Sequence, residues 1–183
     1  DNRLIYNRLA KLAPDAPKSD KYLKSRAYVH AIGSDPERDR AILGLGVAPE
    51  MALDPLATPF VVTAPGSPYL IGIVGNGNQR ELSLYAAPAA SLAQGIPTWR
   101  RVAGLADEVT DAALVGSTLY LLTHRDAPHF KVVRLDLAQP DLASAAVVVP
   151  ASDAVITGIA AGKDALYVRR MIAGVSDLLR LDH

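Results

Sequence analysis

TLYLLTHRDAPHFKVVRLDL, Thr118 to Leu137, contains two short apolar runs separated by a polar, proline-containing break. The runs TLYLLT and FKVVRLDL are six to eight residues long and rich in Leu, Val and Tyr, which is strand length and strand composition. The break, HRDAP (His124 to Pro128), suits a hairpin loop. Pro128 has no N–H to offer a ladder, and the carboxylate of Asp126 can accept from nearby backbone. The stretch therefore predicts two antiparallel strands and a turn.

The same pair recurs on either side. Aromatic-bearing runs begin at Pro68 (PYLIGIV), Thr118 (TLYLLTH) and Ala165 (ALYVRRM), and each is followed by a second run, at Arg80 (RELSLYA), Phe130 and Ser176 (SDLLRLDH). A third set follows, TWRRVAG at Thr98 and SAAVVVP at Ser144. A fourth precedes each pair: PFVVTA at Pro59, VTDAALVG at Val109 and AVITGIAA at Ala154. Four strand types thus return in one order with a period of about 47 residues, the pattern of four-stranded propeller blades. Before them, RLIYNRL (Arg3 to Leu9), RAYVHAIG (Arg26 to Gly33) and RAILGLG (Arg40 to Gly46) read as the second, third and fourth strands of an earlier blade. After SDLLRLDH no fourth strand follows. The expected fold is all-β: a partial β-propeller with two complete four-stranded blades flanked by two incomplete ones. The expected blade limits are 1–46, 47–104, 105–150 and 151–183, as in a piece of a larger ring. Two stretches interrupt the pattern: a polar loop from Ala10 to Ser25, and an Ala-rich segment from Ala86 to Gly95 with room for one helical turn.

Composition narrows the functional classes. Half of the 183 residues are apolar and 21% are charged, which suits a folded core rather than disorder. Nineteen basic residues balance nineteen acidic ones, so no electrostatic argument favours nucleic acid or an anionic membrane as partner. No run of about 18 apolar residues is present to span a bilayer, and the first residues lack the apolar stretch of a signal peptide. There is no cysteine, which removes disulfides, thiolate metal sites and a cysteine nucleophile and leaves the compartment open.

Candidate chemistry is sparse. His124 and His129 flank Asp126, but zinc needs three or four converging ligands and the residues of an outward hairpin diverge; the equivalent loop one blade later, IAGVSD, has no histidine. Val115-Gly116-Ser117-Thr118 lacks the second glycine of a nucleophile elbow and reads as a hairpin turn. GNGN (Gly75 to Asn78) is followed by a strand, not the helix a phosphate loop requires, and reads as a turn in which Asn-Gly supplies positive φ. SDPERD (Ser34 to Asp39) lacks the glycine and distal glutamate of a calcium loop and reads as a connection. Arg169 and Arg170 fall on opposite faces of a strand. Trp99, the single tryptophan, reads as a packing residue at the start of a strand. None of His30, His124, His129 or His183 has a nucleophile nearby in sequence. No catalytic residue, metal ligand or cofactor is assigned.

YVHAIGSDPERD (Tyr28 to Asp39) resembles a strand-and-loop of the form Y-x-H-x-L-G-T-x-x-x-x-D in the seven-bladed propeller of the prolyl oligopeptidase family of serine peptidases. LYLLTHRDAPHFKVVRLDL (Leu119 to Leu137) resembles a second segment of it, and the order IYN, polar loop, YVHAIGSD also matches. The resemblance implies a propeller that covers an α/β-hydrolase domain bearing a Ser-Asp-His triad and restricts entry to short peptides, with cleavage after proline. The implied partners are that hydrolase domain and short peptide substrates. LIYN (Leu4 to Asn7) resembles a family strand that carries a cavity-lining aromatic, and Ile5 stands at that position. The rival readings are a stand-alone propeller-type interaction module and a small β-sandwich enzyme; the common period of the four strand types speaks against the latter. A reading frame that continues into G-x-S-x-G favours the peptidase, and a stop codon near His183 favours the module. The isolated chain, with unpaired terminal strands, is expected to self-associate.

Overall fold

A computed structural model describes residues 2–48 and 51–182. Asp1, His183 and residues 49–50 lie outside the described residues. Fourteen strands are described: β1 Arg3–Arg8, β2 Arg26–Ala31, β3 Arg40–Gly44, β4 Ala57–Thr63, β5 Tyr69–Asn76, β6 Leu82–Pro88, β7 Arg100–Ala103, β8 Val109–Val115, β9 Thr118–Thr123, β10 Lys131–Asp136, β11 Ala146–Val149, β12 Val155–Ala161, β13 Ala165–Ile172 and β14 Val175–Asp182. They form four antiparallel sheets in chain order, β1-β2-β3, β4-β5-β6-β7, β8-β9-β10-β11 and β12-β13-β14. This is the three, four, four, three strand count of a partial propeller. The single helical turns are 3-10, including Ala89–Ala93 in the Ala-rich segment and Lys18–Tyr22 in the polar loop.

The chain divides into two compact units, Asp1–Thr63 with Pro68–Arg101, and Ala64–Ser67 with Val102–His183. In the first, β5 explains itself from sequence. Its run YLIGIVGN is apolar on both faces, and Leu70, Ile71 and Val74 are all buried, as a central strand covered on both sides requires. The core joins Leu70 and Val74 to Ile42, Leu43, Val61, Leu92 and Trp99. Trp99 is buried and donates its indole N–H to the Ile42 carbonyl at 2.9 Å, so its polar tip is satisfied inside the core. Its strand begins one residue later than expected, at Arg100. Gly72 opposes this packing: a Cβ there would stand 2.9 Å from Leu43 Cδ2 and 3.2 Å from the Trp99 ring, so the strand needs a residue without a side chain for the indole to approach.

In the second unit, β9 is buried from Leu119 to Thr123, and its partner β10 runs in unbroken register, Lys131 opposite Thr123 through Asp136 opposite Thr118. Tyr120, Leu122, Phe130 and Val132 share a core with Ile156, Ile159, Leu166 and Val168 of the next sheet. The two first strands, β8 and β12, each carry a bulge, between Val109 and Asp111 and between Ile156 and Gly158. Asp111 joins them. One carboxylate oxygen accepts from Ala112 N at 2.9 Å and the other from Ile159 N at 3.1 Å. A bulge leaves backbone groups outside the ladder, and this carboxylate satisfies one on each strand.

Two turn readings are corrected in detail. Gly75 and Asn76 finish β5, and only Gly77 takes the positive φ (61°) of that turn. In HRDAP, Asp126 supplies conformation rather than an acceptor: its φ is 53°, and the Thr123 hydroxyl is what accepts from the loop, at Arg125 N (3.1 Å). Aspartate tolerates the left-handed region better than most residues, which is why it suits the position.

Candidate functional site: the Asp39 polar cluster

The β1–β2 register sets Leu4 opposite His30, Tyr6 opposite Tyr28 and Arg8 opposite Arg26. Alternation puts these six on one face of the sheet, while Ile5, Ala27 and Val29 face the core. Ile5 is partly buried and packs against the core of its unit. The other face holds a polar cluster closed by Asp39, the residue just before β3.

The Asp39 side chain is only 2% exposed. Tyr6 donates its hydroxyl to Oδ2 at 2.7 Å, and His30 Nδ1 lies 2.8 Å from Oδ1. An ionised carboxylate is acceptor-only, so the His30 proton sits on Nδ1 and points at Asp39. Arg8 Nη2 lies 3.5 Å from Oδ2, donates to the Tyr6 hydroxyl, and donates to the Pro36 carbonyl at 2.7 Å. Its guanidinium covers the Tyr28 ring at 4.5 Å and the Tyr6 ring at 5.4 Å, and the two rings lie 5.9 Å apart. Burial works against the Asp39 charge, but hydrogen bonds from His30 and Tyr6 and the charge of Arg8 outweigh it and hold its pKa below the usual carboxylate range. Burial and the bond to Asp39 push the Tyr6 hydroxyl above its ordinary value.

Chemically the arrangement is a tie. A histidine oriented by an aspartate is two thirds of a hydrolytic triad, but among the described residues no hydroxyl is bonded to the other ring nitrogen of His30. The Tyr6 hydroxyl donates to the same carboxylate. What the cluster does is fasten the loop from Ile32 to Asp39 across β1 and β2. Within that loop the Asp35 carboxylate accepts from Glu37 N at 3.0 Å. Sequence reading took SDPERD as a plain connection and missed that its last residue is the centre of a buried network. The signal was present in the Y-x-H spacing of Tyr28 and His30, but Tyr6 and Arg8 arrive through pairing with a distant strand.

The histidines of HRDAP go separate ways. His124 Nδ1 meets Glu108 Oε2 at 3.0 Å, and its ring stands edge-on to Phe130 at 5.3 Å. His129 Nδ1 donates to the Ser152 carbonyl at 2.8 Å. Among the described residues no three His, Asp or Glu side chains converge on a point where a metal could sit. Val115-Gly116-Ser117-Thr118 is a hairpin turn with Gly116 at φ 55°, and Arg169 and Arg170 engage Thr157 and Asp177 respectively.

The family profile described as prolyl oligopeptidase, N-terminal beta-propeller domain, matches residues 1–182. Among curated proteins none matches the sequence. Solved structures similar to this chain include a prolyl endopeptidase (18% identity, TM-score 0.81, covering 99% of this chain and 25% of that one). A second is prolyl oligopeptidase B from Galerina marginata bound to a 35mer substrate (17%, 0.79, 99% and 25%). Oligopeptidase B from Leishmania major is a third (18%, 0.71, 99% and 23%). The chain spans about a quarter of the length of these solved relatives. With the fold and the match over nearly every residue in agreement, the chain belongs to the prolyl oligopeptidase family, as part of its N-terminal β-propeller.

Proposed function

We propose that this chain is part of the propeller wall of a serine peptidase of the prolyl oligopeptidase type, controlling which peptides reach an active site on an α/β-hydrolase domain. Each of the four sheets is then one blade, with limits near 1–46, 47–104, 105–150 and 151–183. The observation that carries the reading is the match of residues 1–182 to the propeller domain, together with four blade-like sheets in which His30, His124 and His129 are engaged by carboxylates and a carbonyl. The chemistry is assigned elsewhere: nucleophile, base and oxyanion hole belong to the hydrolase domain. The propeller's part is selection. A rigid ring of sheets passes a short, extended chain and excludes a folded protein. Ile5, at the position of the family's cavity-lining aromatic, is the residue this reading sets at the substrate cavity, and it is partly buried against the core of its unit.

The test compares three proteins on a chromogenic proline dipeptide and on a folded protein. The isolated 183-residue chain should show no turnover. The product of the full reading frame should cleave the dipeptide and spare the folded protein. The same product with residues 1–183 deleted should lose that discrimination. Turnover by the isolated chain that a serine-directed inhibitor abolishes would overturn the assignment.

A further inference from the structure

At the Arg8–Arg26 end of the β1–β2 ladder lies a cavity of about 340 Å³ lined by Arg8, Lys11, Lys24, Arg26, Tyr28 and Glu37, with Leu9 and Ala10. Four cations thus meet one carboxylate. Arg8 and Arg26 stand directly opposite each other on one face of an antiparallel pair, where like charges oppose pairing. Most of the lining charge is already answered. Arg8 is engaged by Tyr6, Pro36 and Asp39, and Glu37 is engaged by Lys11 at 2.5 Å. Arg26 is not. Its Nε is buried without a hydrogen-bond partner among the described residues. A buried donor on a charged group left without an acceptor is unfavourable, and such groups in folded proteins are ordinarily satisfied.

Arg26 is nonetheless held in place. Its stem lies along the backbone of Gly44: a Cβ on Gly44 would stand 2.7 Å from Arg26 Cγ, and Gly44 has a φ of 146°. At Gly46 a Cβ would stand 4.0 Å from Nη2. Two glycines therefore form a bed for this side chain, and apolar contact rather than polar bonding fixes its position. Lys24 has a left-handed backbone (φ 57°), uncommon outside glycine, and its N–H is bonded to the Pro55 carbonyl at 2.6 Å. A positioned guanidinium and a lysine on a fixed backbone, lining one cavity in which four cations face a single carboxylate, make the arrangement of an oxyanion site.

We propose that this cavity binds a small oxyanion, a phosphate or a carboxylate group, with Arg26 as the principal ligand and Lys24 as the second. The inference rests on the charge and packing of β1, β2 and β3, and is independent of the peptidase reading.

The test is thermal melting of the 183-residue chain in rising inorganic phosphate, and separately in rising triglutamate, each against sodium chloride at equal ionic strength. For the wild type, Tm should rise with at least one of the two beyond the chloride control; which one responds identifies a phosphate or a carboxylate as the ligand. In Arg26→Gln the apparent affinity should fall at least ten-fold, and Tm without added anion should be unchanged or higher, because the repulsion with Arg8 is gone. Lys24→Gln, which leaves the glycine bed intact, should weaken binding several-fold and serves if Arg26→Gln does not fold. No response beyond chloride for either anion, or an equal response in the folded variants, overturns the proposal.

Discussion

The Asp39 carboxylate shows how one side chain turns a loop into a fixed element. It accepts from Tyr6 and His30 while almost fully enclosed, and Arg8 balances its charge. Since its folded pKa lies below the ordinary carboxylate value of about 3.9, the folded state holds the ionised form more strongly than the unfolded chain does. The sign follows from linkage: the stabilisation is complete above the unfolded pKa and is lost as pH falls through the lower folded value. We expect Asp39→Asn to melt at lower temperature than the wild type at pH 7, with the gap closing as pH is lowered below the ordinary carboxylate value of about 3.9. Melting curves at closely spaced pH values check this. A constant gap across that range would mean that the charge of Asp39 is not what the cluster uses.

At the scale of strands, the bulges of β8 and β12 make a similar use of Asp111. Its two oxygens serve one amide on each strand, Ala112 N and Ile159 N, and so link the first strands of two neighbouring sheets in the second unit. Hydrogen bonds to charged groups contribute about 1.5–3 kcal/mol. Asp111→Ala should therefore cost stability of about that size, and the Ile159 amide should lose most of its protection in hydrogen exchange while amides in the middle of β13 keep theirs. Unchanged protection at Ile159 would show that the bulge is held by its own strand. This is also where sequence reading reaches its limit. Strand identity was legible because local composition encodes it: TLYLLT and YLIGIVGN are apolar on both faces, and their short length and β-branched and aromatic content mark covered strands. The repeat of strand types gave the sheet order for the same reason. Asp111 inside VTDAALVG, by contrast, is an ordinary polar residue on a strand until the bulge and the facing strand are known. Asp39 and Arg26 are legible only once β1 is paired with β2, since their meaning depends on residues up to 33 positions away. The local conformation of Asp126 could be anticipated as a turn, but not that Thr123 would provide the acceptor.

For the whole molecule, the decisive property is what its edge strands expose. β14 is the edge of the last sheet, and its hairpin with β13 presents Ile172, Val175 and Leu178 at 55%, 73% and 63% exposure. β1 is an edge of the first sheet and exposes Leu4. Soluble proteins ordinarily blunt edge strands with charge, proline or bulges. β14 carries Asp177, Arg180 and Asp182, but Arg170 engages the first, and Arg180 pairs with Asp182 and with Asp164, so each is tied to a partner within the chain. Its pairing with β13 is continuous from Ala165 opposite Asp182 to Ile172 opposite Val175, with no bulge to turn the edge away. Covering several hundred Å² of apolar surface at about 25 cal/mol per Å² contributes several kcal/mol before the cost of association. We therefore expect the isolated 183-residue chain to self-associate through β14. In sedimentation velocity its mean mass should rise with concentration. Leu178→Lys should shift it toward monomer without lowering Tm, because the residue is exposed in the single chain. A monomer at tens of micromolar, with the amides of β14 as protected as those of β13, would show that the edge is closed by its own side chains.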